Sequence, residues 1–201
     1  MSTATTDTVD VRENILTTGQ RIMAGKGYSA VGLNEILASA GVPKGSFYHY
    51  FGSKDAFGEA LLESYFEDYL TDLDATLSQP DLTMAQRLIR YWTGWKETQS
   101  FFDCQGKCLA VKLGAEVADL SEAMRLSLKR GTEGIVSRLA AAIEAGVRDG
   151  SLSIDGDADG TAQSLYQLWL GASLMVKIER STQPFEASMT TTRQILHLPL
   201  K

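Results

Sequence analysis

The stretch Gly41-Val42-Pro43-Lys44-Gly45-Ser46-Phe47-Tyr48-His49-Tyr50-Phe51-Gly52-Ser53-Lys54-Asp55 carries the strongest architectural signal in the chain. Pro43 suits the first turn of a helix, where its missing N–H has no partner to lose. Gly41-Val42 before it and Gly52-Ser53 after it are break and cap signals, so a brief helix spans Lys44 to Phe51. Phe47 and Phe51 stand at i, i+4 and face inward together. Gly45, Ser46 and His49 fall opposite, with Lys44, Tyr48 and Tyr50 on the flanks. A Gly that permits close approach, a hydroxyl, hydrogen-bonding aromatics and a Lys suit phosphates and base edges. The same residues also fit an ordinary helical hairpin with a Tyr-rich surface.

On the N-terminal side, Leu33 to Ala40 reads as a short helix with Leu33, Ile36 and Leu37 inward, broken at Gly41-Val42. Two short helices joined by a tight Gly-containing turn form the helix-turn-helix pattern. Further upstream, Asp10 with Glu13 reads as a capping box, after a loose polar arm from Met1 to Val9. The helix it opens carries Val11, Ile15, Ile22 and Met23 as an apolar stripe and stops at Gly25-Lys26-Gly27. Downstream, Ser53 caps a long helix to about Leu77. Its Asp55, Glu59, Glu63 and Glu67 make one solvated acidic face; a carboxylate pair for acid–base work needs contrasting environments, and these look alike.

The rest of the chain reads as further helices. Thr83 with Gln86 caps one that runs to about Phe102, and another runs from Cys108 to Val117. Asp119 with Glu122 caps a long one ending at Gly150. After an Asp/Gly-rich link, Asp155 to Gly160, comes Thr161 to Arg180, and Pro184 opens the last, to about Leu196. No segment pair carries strand patterning with turn chemistry, so the class is all-α. The Thr161–Arg180 helix has two apolar faces: Leu165, Trp169, Ala172 and Val176, and Ala162, Tyr166, Leu170, Leu174 and Ile178. A helix apolar on both sides must bury both, one on its own domain and the other on a partner copy, unless it is the central helix of a monomer.

The chain has 201 residues, 44% of them apolar, enough to bury a core in one or two domains. Its 19 Lys+Arg against 25 Asp+Glu give −6, which excludes a generally basic nucleic-acid coat. From Val11 to Lys54, five basic residues face two acidic ones, net +3, which leaves −9 for the remainder. A basic N-terminal module beside an acidic body fits a polyanion touched at one end only. Two cysteines cannot build a disulfide framework, and the longest uncharged stretch, Gly160 to Val176, holds too many Thr, Ser and Gln for a membrane span. With no signal peptide in view either, the expectation is a soluble cytoplasmic protein.

Cys108 sits at a helix N-terminus, where backbone N–H groups favour a thiolate, with Lys107 beside it and Lys112 one turn on. Cys104, beside Asp103, has no such help. A buried inert thiol is the competing reading for Cys108. Zinc is poorly supported, because only His49 and His197 remain as nitrogen ligands, and no cofactor is expected. An enzyme with Cys108 as nucleophile lacks an identifiable base, so catalysis is not expected. Trp92, Trp95, Phe102 and Trp169 could line an apolar effector pocket, with Lys177 anchoring a small carboxylate; they also suit a core.

The Gly41–Asp55 stretch resembles the signature of the TetR family of bacterial repressors. The resemblance implies a homodimer on double-stranded operator DNA, with a three-helix helix-turn-helix domain (residues 1–55) and a larger helical effector-sensing and dimerisation domain (residues 56–201). By motif position, Lys44, Gly45, Ser46 and Tyr48 approach bases or phosphates, and His49, Tyr50 and Lys54 mostly hold phosphates. One departure is Gly32, where the family usually has Ser or Thr: Gly can cap Leu33–Ala40 but offers no side-chain acceptor.

Two further stretches, Gly106 to Glu122 and Leu168 to Ile178, resemble the N-ethylmaleimide-responsive (NemR-type) repressors of that family. In that group a cysteine at the Cys108 position senses electrophiles and oxidants, and a lysine at the Lys177 position lies near it. The resemblance implies a repressor of nearby detoxification genes whose inducer is a small reactive electrophile or oxidant. Cys104 has no counterpart there.

Overall fold

The computed structural model describes residues 4–99 and 108–199. Among them the chain forms nine helices and no strand, the all-α class expected: α1 Ala4–Lys26, α2 Leu33–Ala40, α3 Lys44–Tyr50, α4 Lys54–Leu77, α5 Met84–Gln99, α6 Leu109–Leu120, α7 Glu122–Arg148, α8 Ala158–Glu179 and α9 Gln183–Ile195. No helix among the described residues is long and apolar enough to cross a membrane. The chain divides into two compact units. One gathers the described residues up to Glu67 with Cys108–Gly131, and the other Asp68 onward with Thr132 onward, so the divisions fall inside α4 and α7.

Several helix boundaries follow from local chemistry. Gly41 closes α2 in the left-handed region (φ 68°), and its N–H and that of Val42 return to the carbonyls of Ala38 and Leu37. Ser53 Oγ accepts from Ala56 N at 3.0 Å at the start of α4. Thr83 and Gln86 form the reciprocal capping box at α5, 2.8 and 3.3 Å.

Three boundaries differ from the sequence reading. The first helix starts at Ala4, so Asp10 lies inside it and most of the expected polar arm is helical; no Pro or Gly stands between Ala4 and Asp10 to stop the helix from running back through them. Helix α6 continues through Asp119 to Leu120. Ser121, in extended conformation, then separates it from α7, its N–H on Val117 O and its hydroxyl 3.5 Å from Met124 N. Helix α8 begins inside the Asp/Gly-rich link, because Asp157 caps it by accepting from Gly160 N at 2.7 Å. The expected end of α5 at Phe102 lies outside the described residues.

In the first unit, α1 packs on α2 and α6, and α2 on α3. Ile15, Leu16, Met23, Val31, Ile36, Phe47, Phe57 and Val117 are fully buried. Phe47, Phe51 and Phe57 form an aromatic triangle with centroids 5.1 to 5.5 Å apart. Each contributes roughly 1.5–3 kcal/mol by burial alone. Gly19 lets α4 approach α1: a Cβ there would stand 2.5 Å from the Phe57 ring. The acidic face of α4 is not wholly left to solvent, since Arg130 Nη2 reaches Glu63 at 2.7 Å.

The second unit is built on tryptophan. Trp92 stacks on Trp169 with centroids 4.9 Å apart, and Trp169 stacks on Phe185 at 5.7 Å. Trp95 Nε1 donates to Ser173 Oγ and Trp169 Nε1 to Thr192 Oγ1, both at 2.9 Å, which fixes α5 on α8 and α8 on α9. Asp149, just past the end of α7, accepts from Met84 N and Ser151 N, so the N-terminus of α5 is held from outside its own helix.

Candidate nucleic-acid interface and sensor helix

Helix α3 is only seven residues long and relies on its neighbours for order. Pro43 supplies its N-cap in extended conformation (φ −62°, ψ 147°), and Phe47, 0% exposed, anchors it in the core. With that face fixed, the opposite one is open. Lys44, Gly45, Tyr48 and His49 are exposed, Tyr48 at 54%, and Ser46 and Tyr50 are half-buried. The His49 and Tyr50 rings meet edge to face at 5.0 Å. An exposed tyrosine offers a flat ring with a polar tip. Gly32 caps α2 through its backbone only, its carbonyl accepting from Glu35 N and Ile36 N.

Lys54 is placed differently from the α3 residues. Its Nζ donates to the Tyr28 carbonyl oxygen at 3.1 Å and lies 4.4 Å from the centre of the Tyr28 ring. Tyr28 in turn directs its hydroxyl at Lys54 O and Asp55 Oδ1, 3.0 and 3.1 Å away. Burial, then the hydrogen bond and charge of Asp55, hold the Tyr28 phenol well above its ordinary range, so it stays protonated as a donor.

A second set of contacts meets the same turn. Glu116, on α6, accepts from Tyr28 N through Oε2 at 3.0 Å and from Ser29 N through Oε1 at 2.7 Å. Partial burial pushes its carboxyl up, but the hydrogen bonds from Ser29 and Tyr28, helped by Lys112, outweigh this and leave it below the ordinary carboxylate value. Sequence reasoning missed both Tyr28 and Glu116. No spacing could pair residues 88 positions apart.

Cys108 is the N-cap residue of α6 and is 3% exposed. It therefore lies at the positive end of the helix dipole, with Lys112 one turn further on. Lys177, in the last turn of α8, is half-buried and belongs to the second unit, whereas Cys108 belongs to the first. Trp92, Trp95 and Trp169 are buried ring against ring; the Trp92 indole N–H meets no acceptor among the described residues. Phe102 and Cys104 lie outside the described residues.

Comparison with known proteins gives a consistent picture. Residues 15–61 match the family model described as bacterial regulatory proteins, tetR family, and residues 85–192 match the tetracyclin repressor-like C-terminal domain. The HTH-type transcriptional repressor NemR of Escherichia coli is 40% identical over 193 residues, covering 94% of this chain and 96% of NemR. The HTH-type transcriptional repressor DhaR of a Mycobacterium species is 34% identical over 186 residues, covering 92% of each chain. The crystal structure of the reduced form of E. coli NemR superposes with a TM-score of 0.89, covering 96% of this chain and all of that one.

Proposed function

Because the chain belongs to the TetR family and is a transcriptional repressor similar to NemR, we propose that it binds operator DNA as a dimer through α2 and α3 and lets go when Cys108 is chemically modified. The open polar face of α3 opposite the buried Phe47 carries the DNA half of this reading. Residues 1–55 form the DNA-binding domain and 56–201 the sensing and dimerisation domain. Lys44, Gly45, Ser46 and Tyr48 meet bases and phosphates; His49 and Tyr50 hold phosphates. Lys54 has three N–H donors and gives one to Tyr28, which leaves two for a phosphate. The exposed Leu174 and Ile178 of α8, 52% and 64% accessible, supply the apolar surface that a second copy covers.

Sensing rests on the thiolate. Its sulfur adds to the activated double bond of a maleimide, forming a C–S bond, and the adjacent carbon takes a proton from water. With hypochlorous acid the sulfur is oxidised by two electrons to sulfenic acid and chloride leaves. Either event removes the negative charge at the start of α6, and the maleimide adduct adds bulk to a residue that is only 3% exposed. The protein acts in the reducing cytoplasm, where Cys108 rests as thiol or thiolate.

The test is a mobility shift on the DNA upstream of the chain's own gene, before and after N-ethylmaleimide, and after hypochlorite followed by a thiol reductant. Binding is expected to be lost to both reagents and regained by reduction only after hypochlorite. Cys108→Ser is expected to bind DNA as before and ignore N-ethylmaleimide; release of this variant by the reagent rejects the thiol mechanism.

A second reading keeps the repressor and makes induction noncovalent. The buried Trp92 N–H without an acceptor among the described residues favours it, since such a donor has an unmet bond that an effector carboxylate or carbonyl can satisfy. Reversible release by a non-electrophilic acid, with quenching of tryptophan fluorescence, distinguishes it.

A further inference from the structure

Resting on the reading of α2 and α3 as the DNA-binding element, we infer that Glu116 is the positioning residue through which α6 sets the pose of those helices. Its carboxylate is forked across two consecutive backbone N–H groups, Tyr28 and Ser29, in the turn that leads from α1 into α2. Three features make this a strap and not an incidental surface contact.

Gly27, just before the pair, has φ +90°, and a Cβ there would stand 3.0 Å from Glu116 Oε2, so the turn is shaped to admit the carboxylate. Tyr28, whose N–H the strap holds, binds the start of α4 through its hydroxyl, and its carbonyl accepts from Val31 N ahead of α2 and from Lys54 Nζ. One side chain therefore grips a turn on which α1, α2 and α4 converge. Finally, Cys108 stands eight residues before Glu116 on the same helix, about 12 Å along its axis. A continuous helix of that length moves as a rigid body, so displacement at Cys108 is delivered at Glu116 as displacement of the turn.

The unmodified strap thus holds the DNA-binding pose, and a chain without it resembles the induced state. Glu116→Gln keeps the shape but loses the charge, and its amide presents only one oxygen to the two N–H donors. At unchanged helicity and with a melting temperature within a few degrees, it is expected to bind operator about tenfold more weakly. Its affinity is then expected to fall little further on alkylation by N-ethylmaleimide. In the unsubstituted chain, the Tyr28 and Ser29 amides are expected to exchange slowly before alkylation and at least several-fold faster after it.

Equal operator affinities for the two chains overturn the inference. Weakened binding that N-ethylmaleimide reduces by the full original factor also overturns it, because a merely structural role lowers both states alike. If N-ethylmaleimide releases neither chain, the cysteine reading has failed while the affinities of the unalkylated pair still decide the role of Glu116. A chain that binds no operator before or after substitution removes the DNA reading and this inference with it.

Discussion

Phe47 and Tyr48 are neighbours with opposite fates, and the contrast fixes what each can be asked to do. Phe47 has no exposed surface and touches three other rings. Phe47→Ala is expected to cost about 3–5 kcal/mol in urea unfolding. Tyr48 is 54% exposed, so Tyr48→Ala is expected to leave the unfolding curve in place while weakening operator binding in a gel-shift titration. Glu116 makes a pH prediction. Its folded-state pKa lies below its value of 4.5 in an unperturbed chain, so it contributes stability above that pH and loses it as pH falls through the lower folded-state value. The stability gap between the native chain and Glu116→Gln, read by urea unfolding, is expected to be constant from about pH 7 to about pH 5 and to close on further acidification.

Within and between helices, small residues and caps decide where each one starts and how closely two can pass. Asp157 accepts from Gly160 N at the head of α8, and Asp157→Ala is expected to destabilise the protein by about 1 kcal/mol. Gly131 lies in α7 against Phe66, and a Cβ there would stand 2.2 Å from the ring. Gly131→Ala therefore forces Phe66 out of place, and a loss of about 1–3 kcal/mol is expected in the same assay. The ion pair between Arg130 and Glu63 is largely exposed, so its removal is expected to matter little.

Across the chain as a whole, apolar surface is unevenly covered. On α8 the face of Leu165, Trp169, Ala172 and Val176 is buried, and so are Ala162 and Tyr166 at the start of the other face, whereas Leu174 and Ile178 further along it are exposed. The double substitution Leu174→Glu with Ile178→Glu is expected to convert a dimer to monomer in sedimentation velocity. It is also expected to weaken operator binding, because two recognition helices need a shared axis to reach two half-sites. Full binding by a monomeric variant rejects the dimeric reading.

Local patterning was enough for the element order, the all-α class and the α2–turn–α3 pattern, because these depend on spacings of a few residues: Gly41 beyond α2, Pro43 before α3, Phe47 inside it, Ser53 and the Thr83–Gln86 box at later starts. It also singled out Lys44, Gly45, Tyr48 and His49 as open, since burying Phe47 turns the opposite side of so short a helix outward, although Ser46, expected on that open side, is half-buried. It misplaced the starts of α1, α7 and α8, where several residues could cap and packing chose among them: Ser121 over Asp119, and Asp157 inside what reads as a link. Three-dimensional packing alone put Lys54 on Tyr28, stacked Trp92 on Trp169, and brought Glu116 back to the turn after α1. Those contacts join residues from 26 to 88 positions apart. Hydrophobic period and capping chemistry act within a few turns of chain, and which distant surfaces meet is settled by how the helices fill one core.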